Sequence, residues 1–278
     1  MLRNQTKTKL LRVFATLVVA IFAISCLFPF VWMLSTSFKY EIDVMEFPIR
    51  LIPKRWNFNN FVEVLTQSNF PTYYLNSIKV AVLSVAGQLV ITTLAAYAFA
   101  RLEFRGKEAL YAIYLATMMV PAQVIILPKY LYFSQLGLTN SHWALILPSF
   151  FSVFGVLLMR GAFESIPREI SEAAFIDGAS HFRIYWQLIL PLAKPTLMTL
   201  ILISFTWAWN DYINPLIFLS KDSMLTITVG LQKFADEASN NYALIMAGAS
   251  LALIPVILIF MVAQKYFIES FANAGIKG

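Results

Sequence analysis

Residues 13–38 read VFATLVVAIFAISCLFPFVWMLSTSF and contain no Asp, Glu, Lys or Arg. A helix of about 20 apolar residues crosses the hydrocarbon core of a membrane, because the core is about 30 Å thick and each residue adds about 1.5 Å. Four other long stretches are also uncharged, and one more is interrupted only by Asp211. The sequence therefore predicts an all-α polytopic membrane protein with six transmembrane helices, at about 13–38, 80–100, 109–128, 138–159, 195–219 and 242–264.

The composition excludes other classes of protein. Of the 278 residues, 59% are apolar and 13% are charged, whereas a soluble domain has about 25% charged residues. Cys26 is the only cysteine, which excludes a disulfide scaffold. The net charge of +6 is spread between the apolar runs, so it predicts no nucleic-acid partner, and the predicted environment is membrane lipid.

The first apolar run also invites comparison with a secretory signal, because four basic residues precede it. Ala23-Ile24-Ser25-Cys26 resembles a lipoprotein cleavage site. The uncharged run continues for twelve more residues to Phe38, which is longer than a signal needs. We expect this segment to be retained as the first span.

The distribution of Lys and Arg predicts the orientation, since basic loops stay on the cytoplasmic side. Both tails together with residues 101–108 and 160–194 carry thirteen basic residues in 69, whereas the alternate loops carry eight in 72. Both termini and the 160–194 loop are therefore predicted to be cytoplasmic. On the other side lies the long loop 39–79, whose prolines and aromatic residues suit either anchoring at the lipid headgroups or binding of an extracytoplasmic partner.

The loop at 160–194 predicts two short helices. The first helix is predicted to start near Ser165, whose hydroxyl can cap it, with Pro167 in the first turn. The carboxylates of Glu169 and Glu172 also favour a start here, because they lie near the positive end of the helix dipole. Gly178 can adopt the left-handed conformation that ends this helix.

A second helix in this loop is predicted to begin after Ser180 and to end at Pro191. The first helix offers a small, partly apolar face, which suits docking into a groove on another protein. An amphipathic pair lying on the membrane surface is the alternative. The predicted face consists of Ile170, Ala173, Ala174 and Asp177.

The same loop resembles the EAA loop of ABC-importer permeases. Glu172-Ala173-Ala174 is followed after three residues by Gly178 and after nine more by Leu188-Ile189-Leu190-Pro191, with Leu188 as the one departure from the usual Ile. Other stretches resemble the carbohydrate branch, similar to the second permease subunit of the maltose transporter. These stretches are Leu27-Phe28-Pro29-Phe30, Ser35 to Lys39, Met119-Val120-Pro121, Leu136-Gly137-Leu138, Trp209-Asn210-Asp211-Tyr212 and Ala274-Gly275-Ile276-Lys277-Gly278.

The resemblance implies that residues 1–278 form one transmembrane domain of an ABC importer and half of a translocation pathway for a sugar or oligosaccharide. It implies four kinds of partner: a second homologous permease, two cytoplasmic ABC ATPase subunits, an extracytoplasmic solute-binding protein and the bacterial inner-membrane lipid. The carboxy tail resembles one that reaches the ATPase interface. The implied ATPase-coupling residues are Glu172, Ala173, Ala174, Asp177, Gly178, Leu190 and Pro191.

Catalytic and cofactor sites are not predicted in this chain. No G-x-x-x-x-G-K-[ST] phosphate loop occurs, so ATP and Mg are expected to bind to the partner ATPases and the chain is not expected to be an enzyme. His142 and His181 are solitary, so neither a metal centre nor a catalytic triad is expected.

Asp211 is the one acidic residue inside a predicted span. A carboxylate in hydrocarbon is costly, so it faces a cavity or a partner, and amide and aromatic neighbours suit sugar recognition. The alternative is a helix break near the outer surface, with Asp211 as a hydrated cap. The candidate substrate-pathway residues are Trp209, Asn210, Asp211, Tyr212 and Asn214.

Two other function classes are less consistent with the sequence. An intramembrane enzyme needs catalytic groups on several spans, and a secondary transporter needs two repeated halves. Within the leading hypothesis, an osmolyte, an amino acid or a phosphate compound is the alternative to a sugar.

Overall fold

Every regular element in the described part of the chain is helical, which confirms the predicted all-α class. The computed structural model describes residues 2–239 and 241–275, so the last three residues of the quoted carboxy tail lie outside it. The α-helices are α1 (Leu2–Ser37), α2 (Asn59–Thr66), α3 (Phe70–Arg101), α4 (Lys107–Ala116), α5 (Ala122–Gln135), α6 (Trp143–Ser149), α7 (Val153–Ser165), α8 (Arg168–Ile176), α9 (His181–Ile184), α10 (Leu190–Leu192), α11 (Lys194–Asn210), α12 (Ile213–Phe218), α13 (Ile227–Ala238) and α14 (Tyr242–Gly275). Shorter elements are the 3-10 turns Glu41–Asp43, Thr117–Met119 and Asp222–Met224 and the π-helical stretch Tyr185–Ile189, which joins α9 to α10.

The described helices supply four to six candidate membrane spans. Two pairs of helices qualify only together, and they are Lys107–Met119 with Ala122–Gln135, bent by 96°, and His181–Leu192 with Lys194–Asn210, bent by 80°. The count is therefore four, or six if each bent pair forms one span. The four that qualify alone are Leu11–Ser37, Phe70–Arg101, Trp143–Ser165 and Tyr242–Tyr266.

The prediction of one continuous helix over 109–128 is wrong. Val120 has φ −81° and ψ 115°, and α5 starts beyond Pro121 at a steep angle to α4. The physical reason is the proline, whose ring disfavours the α conformation of the residue before it.

The predicted helices at 138–159 and 195–219 are also interrupted. The first divides between α6 and α7, where Ser152 is extended and its Oγ accepts a hydrogen bond from Gly155 N at 3.0 Å. The second divides between α11 and α12, with Asp211 extended at the end of α11. By contrast, α3 is longer than predicted, because it begins at Phe70 rather than at Val80.

One compact unit comprises Met1–Phe70 and Leu231–Leu253. Within it the chain after α1 folds back on itself: Asn60 Nδ2 donates to the carbonyls of Ser37 and Lys39, and Lys39 Nζ donates to the Arg50 carbonyl at 2.7 Å. Burial lowers the pKa of Lys39, and the carboxylates nearby oppose this shift. The first part of the 39–79 loop is thus folded. Phe38, directly before the loop, packs against three aromatic side chains of the loop, and they are Trp56, Phe58 and Phe61.

The other unit comprises Pro71–Gly230 and Ile254–Gly278. Two buried polar contacts join helices inside its core: Gln88 Nε2 donates to Ser204 Oγ at 2.8 Å, and the hydroxyls of Thr93 and Tyr185 lie 2.7 Å apart. Such bonds satisfy polar groups that have no water to contact. The main apolar cluster draws on α3, α7, the 181–192 helix and α11, and consists of Ala96, Tyr97, Phe99, Ala100, Val156, Met159, Phe163, Ile184, Tyr185, Ile189, Ala193 and Leu200.

The most apolar part of α1, residues 11–31, is exposed throughout in the described chain. None of its most apolar window is buried, and bulky side chains such as Ile21 and Phe22 are exposed along its length. Exposed apolar surface of this extent is stable only against lipid or another protein.

Candidate functional site

The predicted coupling segment (residues 160–194) begins within the last part of α7, which ends at Ser165. Pro167 keeps Ile166 extended, at φ −78° and ψ 133°, so the helix cannot continue. Arg101 Nη2 donates to the carbonyls of Phe163 at 2.5 Å and of Ile166 at 2.6 Å. One guanidinium of α3 therefore binds two carbonyls at the end of α7 and fixes the exit of the chain.

The predicted cap of the first helix is wrong. Ser165 still belongs to α7, and its Oγ donates to the Ala162 carbonyl at 2.8 Å. The N-cap position of α8 falls on Pro167, which has no side chain that can accept a hydrogen bond. The offset arises because Pro167 places the boundary directly before Arg168 rather than inside the first turn.

The turn between the two helices has the predicted geometry. Gly178 is left-handed at φ 81°, its N–H donates to Phe175 O, and the N–H of Ala179 donates to Ala174 O, both at 3.0 Å. These two bonds form a Schellman motif, which satisfies the last carbonyls of α8.

The second helix begins as expected and ends one residue later than expected. Ser180 Oγ accepts from the N–H of Arg183 at 3.3 Å, so Ser180 is the cap. The helix continues through the π-helical stretch and past Pro191 to Leu192, and α11 begins at Lys194. Ile184, Tyr185 and Ile189 on this helix are buried in the core.

The predicted docking face is divided by the structure, and this corrects the prediction. Ala173 and Asp177 are exposed, but Ile170 and Ala174 are half-buried, with Ala174 against the core. A helix anchored beside a core must turn one side inward, and the 3.6-residue period places Ile170 and Ala174 on that side.

Bulky apolar side chains occupy the outward side instead. Ile176 is 85% exposed and Phe175 is 59% exposed, next to the exposed Glu172. Phe182 and Trp186 on the second helix are also exposed. The sequence analysis missed these residues, although bulky apolar side chains beside Gly178 in an otherwise polar loop were a usable signal.

The remaining predicted coupling residues lie near the end of the segment. Leu190 is half-buried against the core, and Pro191 is exposed. These two residues lie in α10, at the end of the second helix.

The break after α11 brings four polar residues together. The Asp211 carboxylate accepts from Asn214 N at 3.2 Å and from Asn214 Nδ2 at 2.9 Å, and the Asp211 carbonyl accepts from Thr228 Oγ1 at 2.6 Å. Lys129 Nζ donates to Asn214 Oδ1 at 2.8 Å. The Asn214 amide is matched to both neighbours, because a lysine only donates and a carboxylate only accepts.

The other candidate pathway residues separate into two groups. Trp209 is 3% exposed and packs against Tyr74 and Phe205, with ring centroids 5.5 Å and 5.8 Å away. Asn210 and Tyr212 are exposed at the break. Lys129 directly follows the predicted span 109–128, and sequence reasoning did not predict its contact with Asn214.

No group of three or more His, Cys, Asp or Glu side chains in residues 2–239 and 241–275 is placed to hold a metal ion.

Together, the apolar helices, the interrupted spans and the projecting two-helix segment define a polytopic helical membrane protein. The chain belongs to the family described as binding-protein-dependent transport system inner membrane component, whose sequence profile matches residues 88–272.

Individual relatives cover nearly the whole chain. It is 33% identical over 260 residues to the probable ABC transporter permease protein YurM of Bacillus subtilis, covering 93% of this chain and 86% of that relative. It is 32% identical over 275 residues to the melibiose/raffinose/stachyose import permease protein MelC of the same species, covering 98% and 99%. A chain in the crystal structure of a bacterial ABC transporter involved in the import of the acidic polysaccharide alginate matches with a TM-score of 0.84 and 29% identity, over 93% of this chain and 97% of that one.

Proposed function

We propose that this chain is a permease subunit of an ATP-driven importer, that it forms half of a translocation pathway, and that residues 160–194 couple it to cytoplasmic ATPases. The observation that carries the proposal is the outward surface of α8, where Glu172, Phe175 and Ile176 are exposed beside the Gly178 turn. Exposed bulky apolar groups next to a charge are typical of a docking surface.

The second helix of the segment connects this surface mechanically to the core of the transmembrane domain. Ile184, Tyr185 and Ile189 are buried among α3, α7 and α11, so a force on α8 is passed to packed side chains. Close-packed interiors resist compression and transmit displacement. Closure of an ATPase pair on the segment would therefore tilt several spans together.

The proposed assembly follows from this surface and from the family. It comprises this chain as one transmembrane domain, a second homologous permease, two cytoplasmic ABC ATPases and an extracytoplasmic solute-binding protein, which the family description names in general terms. It lies in the bacterial inner membrane, with six spans in this chain and with both termini and residues 160–194 cytoplasmic. ATP and Mg bind to the ATPase partners, and this chain itself hydrolyses nothing.

For the pathway, the proposal assigns substrate contact to Asn210 and Tyr212. Both are exposed at the break between α11 and α12, and they offer an amide and an aromatic face. The hydrogen bonds from Asn214 to Asp211 and from Lys129 to Asn214 stabilise the interruption between α11 and α12. Trp209 is buried beside this interruption.

The proposed substrate is a sugar or an oligosaccharide. Support comes from the relatives, among them the import permease for melibiose, raffinose and stachyose. The alternative substrate is a non-sugar solute, such as an osmolyte, an amino acid or a phosphate compound. A transport assay distinguishes it from a sugar.

The test is uptake into liposomes. The importer with its binding protein is expected to take up a labelled oligosaccharide only when ATP is supplied, and unlabelled oligosaccharides are expected to compete where glycine betaine, amino acids and glycerol phosphate do not. The purified chain alone is expected to transport nothing. Uptake by the chain alone without ATP contradicts the proposal, and competition only by non-sugars contradicts the substrate class.

A further inference from the structure

Residues 47–52, with the sequence FPIRLI, form an exposed apolar segment in the loop after α1. All six residues are exposed, and five of them are apolar. Phe47 is 89% exposed and Ile52 is 75% exposed. Contiguous apolar surface of this kind marks an interaction surface. The coupling segment and the substrate pathway proposed above do not include these residues.

The level of this segment in the membrane follows from the length of α1. Residues 13–38 are uncharged and directly follow Arg12. A hydrocarbon core of about 30 Å accommodates about 20 helical residues, which leaves about six, residues 33–38, for the layer of lipid headgroups. The last turns of α1 and the residues beside them therefore lie at the headgroup level.

Two hydrogen bonds hold the segment against this end of α1. Ser35 Oγ donates to the Leu51 carbonyl, and Lys39 Nζ donates to the Arg50 carbonyl at 2.7 Å. The loop thus folds back, and residues 50–51 lie beside residues 35–39 rather than far out in water. The exposed apolar side chains on either side of these two carbonyls are consequently within reach of the lipid.

The same two hydrogen bonds lower the cost of contact with lipid. Irregular backbone at the membrane is costly unless its N–H and C=O groups have partners within the protein. The carbonyls of Arg50 and Leu51 have such partners, and Pro48 has no N–H to satisfy.

Arg50 is the only charged residue of the segment, and its charge suits a phospholipid surface. It forms no ion pair within 4.0 Å among the residues that the structure describes. A long arginine side chain can keep its guanidinium at the lipid phosphates while its apolar neighbours lie deeper, and a guanidinium binds phosphate oxygens well.

The segment has a polar boundary on both sides. Glu46 precedes it and Lys54 follows it, and their side chains form an ion pair that brings the two ends of the segment together. Ile42 and Met45 are also exposed, but they precede Glu46, whose carboxylate favours water. The apolar surface that can enter lipid is therefore limited to residues 47–52.

We propose that residues 47–52 are a lipid anchor, whose apolar side chains enter the boundary between headgroups and acyl chains by about 5–10 Å. The headgroup level favours lipid over a solute-binding protein, because a protein that docks from water first meets the parts of the loop beyond the headgroups. The anchor would hold the end of α1 at a fixed height while other spans move. The inference requires only that α1 spans the membrane, so it does not depend on the proposed coupling.

The experiment measures the depth of spin labels in the assembled importer, which is otherwise free of cysteine and is reconstituted in nanodiscs of phosphatidylcholine and phosphatidylglycerol. In a Cys26→Ser background, one label is attached at Phe47→Cys and another at Ile52→Cys. Glu237→Cys, on an exposed polar position of α13, is the control. Collisions with oxygen, which concentrates in lipid, are compared with collisions with a water-soluble nickel chelate.

Labels at positions 47 and 52 are expected about 5–10 Å into the boundary, where oxygen reaches them and the nickel chelate does not. The label at position 237 is expected to collide freely with the chelate. Ile49→Asp should move the label at position 47 into water, because a carboxylate in lipid is costly. Asn59→Asp adds the same charge at an exposed position outside the segment, and it should leave that depth unchanged.

Free collision of both labels with the nickel chelate overturns the inference. Protection from both reagents also overturns it, because it places the segment against the second permease. Protection that arises only after the solute-binding protein is added assigns the segment to that protein instead. An unchanged depth of the label at position 47 in Ile49→Asp shows that residues outside the segment hold it in lipid, and this overturns the assignment to residues 47–52.

Discussion

Gly178 is the residue on which the geometry of the coupling segment depends. Its φ of 81° lies in the left-handed region, which costs a residue with a Cβ about 1–2 kcal/mol. A Cβ at this position would meet no atom within 4 Å, so the cost is in the backbone and not in packing.

We expect Gly178→Val to uncouple the importer. A β-branched residue disfavours the left-handed turn by about 1–2 kcal/mol or more. The angle between α8 and α9 is therefore no longer fixed by the turn. ATP hydrolysis should persist while uptake falls by about tenfold, at normal membrane abundance. The measurement is the ratio of ATP hydrolysed to substrate taken up in proteoliposomes.

Two variants serve as controls for Gly178→Val. Gly161→Val places the same side chain in α7, where a Cβ also has open space and the backbone is helical, and it should couple normally. Gly178→Asn should retain more coupling than the valine variant, because Asn tolerates the left-handed conformation. Normal uptake by Gly178→Val would remove this turn from the mechanism.

Glu172 is the exposed carboxylate beside the apolar surface of α8. If Glu172 pairs with a basic group of the ATPase in the proposed docking, Glu172→Lys places two like charges together, and we expect association to weaken by roughly 30-fold or more. Co-purification of the ATPases at increasing salt measures this. The control Glu237→Lys, on α13 outside the segment, should co-purify normally. Unchanged co-purification of Glu172→Lys would exclude this contact.

At the scale of elements, the interruptions in the helices are local consequences of particular residues. Pro121 bends α4 against α5, and Asp211 ends α11 by bonding Asn214. Sequence reasoning identified the apolar runs but treated three of them as continuous helices, because a length count does not respond to a break within a run.

We expect Asp211→Asn to reduce the stability of the importer rather than its affinity for substrate. Asn214 N and Asn214 Nδ2 donate to different oxygens of the Asp211 carboxylate, and an asparagine replaces one of these oxygens with an NH2 donor, so one hydrogen bond is lost at a cost of about 1–2 kcal/mol. The melting temperature should fall, and the KM of uptake should stay within about twofold.

The control for this change is Asp236→Asn, whose side chain accepts a hydrogen bond from Gln232 Nε2 at 3.0 Å on an exposed surface. It should leave both quantities unchanged. A large rise in KM for Asp211→Asn at unchanged melting temperature would assign its carboxylate to the substrate instead.

At the scale of the whole molecule, the orientation in the membrane is the prediction that the proposed function most requires. In a Cys26→Ser background, we expect Met45→Cys to react with a membrane-impermeant maleimide in intact spheroplasts. Asp177→Cys should react only after permeabilisation. Both positions are exposed, so accessibility depends on the side of the membrane. The reverse pattern would place the coupling segment outside the cell.

The sequence by itself determined the membrane class, the apolar runs and the turn at Gly178. These features depend on residues close together in the chain: an apolar run must avoid water, and a left-handed turn favours a residue without Cβ. The motif Glu172-Ala173-Ala174 with Gly178 indicated the family from the sequence, because it too consists of residues close together in the chain.

Only the tertiary structure decided which side chains face outward and which polar groups meet. Ala174 turns inward and Ile176 outward because the second helix is buried in the core, and Lys129 reaches Asn214 across 85 residues of chain. Such contacts depend on how distant helices pack, and packing depends on shapes that no local pattern records.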